Sequence, residues 1–569
     1  MATTPQIASP VTPIPEIAAH EVPRRQRSWV SWLTTTDHKR IGIMYLVASW
    51  IFFAIGGVEA LIMRLQLSQA DNTLVTPQTY NTLVTMHGTT MVFLFMVPMI
   101  AGIGSYLVPL MIGAREMAFP RLNALSFWLF IAGGVVFYGS LLWSPAECGW
   151  TCYAPLSEAG YSPTGGVDAW IFLIQLTGIA SFIGALNFFV TISNMRAPGM
   201  GWGRLPLFCW AMLTQAILLI ITIPVIGAAV TLLLTDRHFG THFFDPTNGG
   251  SPLLWQNLFW FFAHPQTYLL LLPVFGIVSE ILPVFARKPI FGRRSIVKAM
   301  FAIGGLSLLI WIQDMFTAPL PFGLRLAVSL LALLVVIPIA VTVLNWVFTL
   351  WRGSIHFDTP MYFAAGFIAT FLCGVCSAVL LAVLPVNWQL ADTYFAVANY
   401  HYMIVSGALL GLVAGLYYWF PKMSGRMLNE RLGKMSFWFI LIGFWVTFLV
   451  QHSAGLSGMP RRVYEYSNLG NLEVYNLIST IGSFILAVGI LMTIVNFVRS
   501  LKKGAVAGAD PWKANTLEWF ATSPPPVNNF DVIPHVHSVE PMKDIRLQIE
   551  RQSQTGEMAG TGAGRSDGS

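Results

Sequence analysis

Charge is what this chain has least of. Asp, Glu, Lys and Arg make up 10% of its 569 residues, against about a quarter in a soluble domain. That scarcity excludes a water-exposed globule. The net charge of +6 lies in short basic segments, so no nucleic-acid partner is expected. No apolar stretch precedes a cleavage site near the start, so the first apolar span is expected to act as its own insertion signal. There is no strong internal repeat. Nor is there a pair of short, Gly/Pro-broken segments of the kind that marks a transporter's midplane site.

What the chain has is apolar length. Residues are 55% hydrophobic, and stretches such as Ile41–Met63, Ala124–Trp143, Leu207–Leu234 and Leu326–Leu350 each suffice to cross a bilayer as a helix of roughly 20 residues. The pattern predicts an all-α integral membrane protein of about twelve spans in a lipid bilayer. Residues 1–37 and 504–569 read as polar, poorly packed tails, with the spanning domain over 38–503.

Segments on the amino-terminal side hold Arg115, Arg121, Arg196, Arg204, Arg287, Lys288, Arg293, Arg294, Lys298, Arg352, Lys422, Arg426, Arg431 and Lys434. The other side holds Arg64, Arg237, Arg325, Arg461 and Arg462. By the positive-inside rule both termini are cytoplasmic. Cys209, Cys373 and Cys376 fall in spans, where a buried thiol is expected. Cys148 and Cys152 share an outer loop, where either a local disulfide or two free thiols is open. Ionisable or ligating side chains inside spans are costly and default to functional sites. Three places stand out: His87 in the second span, His264 with Tyr268 in the sixth, and Asn399 with His401 in the tenth.

Several ordered segments carry a family resemblance. ThrThrAspHisLysArgIleGlyIleMetTyrLeu (35–46), ValProLeuMetIleGlyAla (108–114), MetAlaPheProArgLeuAsn (117–123), TrpPhePheAlaHisProGln (260–266), GlyLeuSerGlyMetProArgArgVal (455–463) and AspProTrpLysAlaAsnThrLeuGluTrp (510–519) together resemble subunit I of the heme–copper oxidases, in particular aa3-type cytochrome c oxidase. The resemblance implies that His87 and His401 ligate a low-spin heme of a or b type. It places Arg64 near that heme's edge and Arg461 and Arg462 beside its propionates, where a guanidinium fits a carboxylate.

The same resemblance exposes departures. The family's high-spin heme ligand, two residues before the low-spin ligand, is Asn399 here. Residues i and i+2 lie about 200° apart on a helix, so one helix can serve two hemes. Of three copper-binding histidines, the first matches His264. The adjacent pair in the seventh span is Gln313 and Asp314, and an amide plus a carboxylate suits cuprous copper poorly. Tyr268, one turn after His264, matches the family's cross-linked tyrosine. The glutamate after HisPro is Gln266, the lysine of one proton channel is Thr342, and the histidine of an outer magnesium site is Ala391, next to Asp392. Glu116 stands for the aspartate at the other channel's mouth; Asn123 persists and Ala124 replaces the following asparagine.

The expectation is therefore a divergent, subunit I-like hemoprotein of a bacterial inner-membrane respiratory chain. It would hold one low-spin heme for electron transfer, with no full ligand set for copper or a high-spin heme. Expected partners are subunit II- and III-like chains and cytochrome c. The alternative is a functional terminal cytochrome c oxidase, reducing O2 and translocating protons, with atypical ligands.

Overall fold

The computed structural model describes residues 29–467 and 469–562; most of the expected amino-terminal tail lies outside them. Two units are separable, 1–35 and 36–569. The described part of the first is one helical turn, Val30–Leu33.

Among its described residues the second unit holds twelve helices long and apolar enough to span a membrane: α1 His38–Gln66, α2 Pro77–Ile112, α3 Pro120–Leu142, α4 Gly166–Asn194, α5 Leu207–His238, α6 Pro252–Ala286, α7 Arg293–Met315, α8 Phe322–Leu350, α9 Thr359–Ala382, α10 Tyr394–Ser424, α11 Glu430–Leu456 and α12 Leu472–Lys503. A further helix, α13, runs Pro541–Gly562. Among the described residues there is no β-strand, and the bridges Thr393–Pro460 and Arg426–Val506 are isolated. The helix starts follow local chemistry. Asp37 accepts a hydrogen bond from Lys39 N at 2.9 Å, Asn429 caps α11 through Leu432 N at 2.9 Å, and Pro77, Pro120 and Pro252 sit where a missing N–H costs nothing. Gly113 and Gly425, left-handed at φ 75° and 71°, end α2 and α10.

Burial separates the spans into two classes. The most apolar windows of α2, α6 and α10 are 83%, 89% and 88% buried, whereas the other nine lie between 28% and 50%. Those three inner helices carry His87, His264 and the Asn399/His401 pair. A stripe of glycines brings α10 against α6: a Cβ at Gly407 would sit 2.7 Å from Leu271, and one at Gly415 3.1 Å from Ile277. Small residues at four-residue spacing let membrane helices approach closely.

Three expectations need correction. The carboxy-terminal segment is not a loose tail. Leu517, Trp519, Phe530 and Val536 are buried, and the chain from Asp510 to Met542 straps the face that carries the basic loops. Lys422 Nζ donates to Ala521 O at 2.6 Å, and Val536 N donates to Pro198 O at 2.9 Å. Its aromatic residues supply apolar area and its backbone satisfies polar groups at the helix ends. Cys209 is buried, but Cys373 is only partly so and Cys376 is exposed, because α9 is an outer helix with one side turned away from the bundle. Finally, α7 leaves α-helical geometry after Ser307 and resumes as a 3-10 turn, Trp311–Met315, so Gln313 and Asp314 are not on regular helix. Pro319 and Pro321 follow at once and disfavour helical backbone before them.

Candidate functional site

His87 lies on α2 and His401 on α10, two of the three inner helices. Both helices widen into π-turns nearby, Thr90–Met96 in α2 and His401–Val405 in α10. In α2 the cause is legible: Pro98 has no N–H to offer the preceding turn, and a wider turn moves its ring off that carbonyl. Each imidazole is tied to backbone through Nδ1, His87 to Gly56 O at 2.8 Å and His401 to Val397 O at 2.7 Å. An Nδ1–H held by a carbonyl fixes the tautomer and leaves the Nε2 lone pair for a metal. Two such nitrogens from opposite helices suit a six-coordinate heme iron. The ring of His401 stacks on Phe448 of α11, with centroids 4.1 Å apart.

The arginines lie toward the other face. Arg64 Nη2 donates to Asn476 Oδ1 at 2.8 Å and Asn476 O at 3.2 Å, while its Nε is buried without a partner. Arg461 pairs with Asp392 at 2.6 Å. Arg462 takes a left-handed backbone conformation, φ 63°; burial first, then the charge of Arg461, pulls its guanidinium down to about 10. Arg462 keeps part of its surface exposed, and two adjacent guanidinium groups of like charge, Arg461 and Arg462, suit an anion such as a carboxylate. Ala391 offers no ligand beside Asp392, whose carboxylate is already engaged by Arg461.

The second pocket is built differently. His264 Nδ1 is 2.6 Å from Asp314 Oδ2, and its Nε2 is buried without a partner. The Tyr268 ring lies 5.8 Å from that of His264. Asn399 spends its amide N–H groups on α9, donating to Gly374 O at 3.0 Å and Ser377 Oγ at 2.8 Å. The side chains here are an imidazole, a carboxylate and an anchored amide. Outside the spans, burial lifts the Tyr153 phenol to about 12; its oxygen accepts the indole N–H of Trp260.

A small void with a mostly apolar lining lies among α1, α2, α3, α4 and α5. One part, about 40 Å³, is lined among others by Ser105, Asn123, Ser126 and Ser181, and an adjoining part of about 20 Å³ reaches Gln266. At about 10–15 Å³ per water the two parts have the volume of about four to six. Asn123 Nδ2 and both side-chain atoms of Gln266 are buried without partners, as water-binding groups would be. Thr342, fully buried, instead donates back to Pro338 O at 3.0 Å. In the loop after α2, where Glu116 accepts from His38 N at 3.1 Å, burial raises its carboxyl to about 7.

Sequence reading missed Phe448 and also His452, whose ring lies 4.9 Å from Phe395 and 5.3 Å from Tyr402. A polar pair, Gln451–His452, inside an apolar span was the available signal. It also left the Glu59 network undrawn, in which the Tyr138 hydroxyl donates to Glu59 Oε1 at 3.1 Å. The loop thiols do close, as Cys148–Cys152.

Fold and site together define a multi-pass helical membrane protein that presents histidines from its inner helices. Residues 40–485 match the profile of the family described as "Cytochrome C and Quinol oxidase polypeptide I", and the chain belongs to that family. It is 47% identical over 510 residues to cytochrome c oxidase subunit 1 of Thermostichus vulcanus, covering 89% of this chain and 92% of that one. It is 44% identical over 536 residues to cytochrome c oxidase subunit 1 of Bacillus subtilis, covering 93% and 85%. A solved structure described as a "heme-copper terminal oxidase dimer" superposes with a TM-score of 0.69 over 83% of this chain and 85% of that one, at 18% identity, which shows the shared fold.

Proposed function

We propose that the chain is a respiratory-chain hemoprotein that holds one low-spin heme, of a or b type, between His87 and His401 and passes electrons through it, without the usual oxygen-reducing heme–copper centre. One contrast carries the reading. His87 and His401 both tie Nδ1 to backbone and form an imidazole pair, whereas Asn399 is an amide committed to α9, and His264, though its Nε2 also has no partner, has the carboxylate of Asp314 beside it rather than a second imidazole. A bis-imidazole iron supplies one-electron transfer with no open position for a gas. The residues' own work is to hold and tune: the Gly56 and Val397 carbonyls orient the rings, Phe448 packs against one of them, and Arg64, Arg461 and Arg462 would neutralise carboxylates. Gln266 and Thr342 cannot titrate, so a proton reaching either position finds no acid there.

The protein would work with subunit II- and III-like chains, with cytochrome c as donor. It would sit in a bacterial inner membrane with the spanning domain 38–503 and both termini on the cytoplasmic side. The competing reading is a functional terminal oxidase with atypical ligands; the names of the relatives and the retained Tyr268 favour it. Reduced-minus-oxidised and carbon monoxide difference spectra of the purified protein, with iron and copper counted, separate the two. A six-coordinate signal with no carbon monoxide shift and no copper supports the proposal. A carbon monoxide-reactive heme with about one copper per chain, the ligand set of an intact centre, overturns it.

A further inference from the structure

The strap carries two histidines that the heme site does not use. Between Phe530 and the start of α13 the chain runs against the loop that joins α4 to α5. Val536 is its inward residue, 1% exposed. Val536 N donates to Pro198 O at 2.9 Å. Arg204 Nη1 donates to Gly199 O at 2.6 Å and to Val536 O at 3.1 Å. The backbone is therefore pinned to one loop on both sides of the Val536 side chain. Side chains alternate along an extended chain. With Val536 turned in, its neighbours His535 and His537 turn out, and both are exposed.

The two rings share one side. Their centroids are 4.5 Å apart and their planes are tilted by 37°. His535 lies over Gly199, where a Cβ would sit 2.6 Å from its Cε1 and 2.9 Å from its Nδ1. Gly199 is left-handed at φ 80°, so the loop offers a bare backbone surface that backs the ring. Among the described residues, neither ring has a hydrogen-bond or ion-pair partner, and their one contact is with each other.

Two neighbouring imidazoles with free nitrogens are a chelating pair. Imidazole suits Zn2+, Ni2+ and Cu2+, whereas Mg2+ and Ca2+ take oxygen ligands. Zinc–nitrogen bonds of about 2.0–2.1 Å place two ligating nitrogens about 3.3 Å apart in a tetrahedral site. Rings with centroids 4.5 Å apart reach that spacing by rotating about their own side-chain bonds. Two protein ligands are fewer than the four of a structural zinc site, so the ion exchanges and water fills its other positions. Arg204 brings positive charge nearby, which weakens the hold on any cation and leaves the imidazole bonds to decide which ion stays.

We propose that His535 and His537 form a bidentate, reversible site for an imidazole-preferring divalent transition ion, Zn2+ or its neighbours Ni2+ and Cu2+, on the face that carries the basic loops. The bound ion closes a chelate across Val536 and stiffens the strap where it lies on the α4–α5 loop. The site is separate from the His87 and His401 pair and is independent of which hemes are bound.

The full-length protein, purified through a histidine-free tag, is titrated with Zn2+ in detergent and compared with His535→Gln, His537→Gln and the double variant. Both positions are exposed, so these changes leave the buried contacts of Val536 in place. Ions held elsewhere, at Asp37, His38 and Glu116 or at His238 and His242 of the outer side, are common to all four proteins and cancel in the comparison. The native chain is expected to take up about one more Zn2+ than the double variant. Each single variant should raise the half-saturating concentration for that ion at least about tenfold, as loss of a chelating partner does. Excess Mg2+ should not compete. Zn2+ should slow hydrogen exchange of peptide 531–540 in the native protein and leave it unchanged in the double variant. Equal uptake by the native protein and the double variant would overturn the proposal. So would single variants that each bind as the native chain does, which is the behaviour of two independent surface imidazoles.

Discussion

Glu518 gives the strap a pH dependence that can be worked from its surroundings. The side chain is fully buried, with Oε1 accepting from Trp419 Nε1 at 3.1 Å and Thr516 Oγ1 at 2.8 Å. Burial, the largest influence, raises its carboxyl from 4.5 to about 7; the two hydrogen bonds pull the other way, and nearby Glu280 adds to the rise. Because the folded value is the higher one, the packed strap prefers the protonated acid. Its contribution is complete below pH 4.5 and is lost as pH climbs through about 7. A shift of that size is worth about 3 kcal/mol in total, about 2.5 kcal/mol of it between pH 5 and pH 8. That is about 70-fold in the opening constant. Hydrogen exchange of the amides in 514–521, corrected for intrinsic chemistry and taken at pH 5, 6, 7 and 8, reads this directly. The native protein should lose protection across the range, while Glu518→Gln, which keeps the Oε1 acceptor and cannot ionise, should show a flat profile. Parallel profiles for the two proteins would refute the reasoning.

Three further outcomes are expected. His401→Ala should abolish the six-coordinate heme spectrum and His264→Ala should leave it in place, as pyridine hemochrome assay and visible spectra will show. The double variant Gln313→His, Asp314→His restores imidazoles beside His264 and should raise bound copper toward about one per chain by elemental analysis; no gain would mean the pocket is closed for another reason. Arg237, buried against Asp168 at 2.7 Å and the carbonyls of Ser157, Ser162 and Thr164, staples the outer loop. Arg237→Ala should cost about 3 kcal/mol, seen as a lowered thermal midpoint in detergent.

The spans were legible because apolar length is a one-dimensional signal, and the twelve helices fall where hydropathy placed them. The positions of His87, His264, Asn399 and His401 were legible because a membrane interior makes any imidazole conspicuous. The strap was not. Its residues are polar and Pro-punctuated, like a solvated tail, and contacts with distant segments, among them Trp519 with Tyr418, Asn529 with Ala114 and Val536 with Pro198, give it structure. The break in α7 was hidden as well, since Leu308–Ile312 is as apolar as the helix before it and the prolines that disfavour helix come later. The bond between His264 and Asp314 spans 50 residues and depends on how that broken segment lies against α6, which local pattern does not encode.

The most direct measurement is the carbon monoxide difference spectrum of the purified, reduced protein, recorded with iron and copper contents on the same sample. One heme iron per chain, no copper and an unshifted spectrum is the expected result. Two heme irons, about one copper and a clear carbon monoxide band would contradict the assignment of His87 and His401 as the protein's sole iron site.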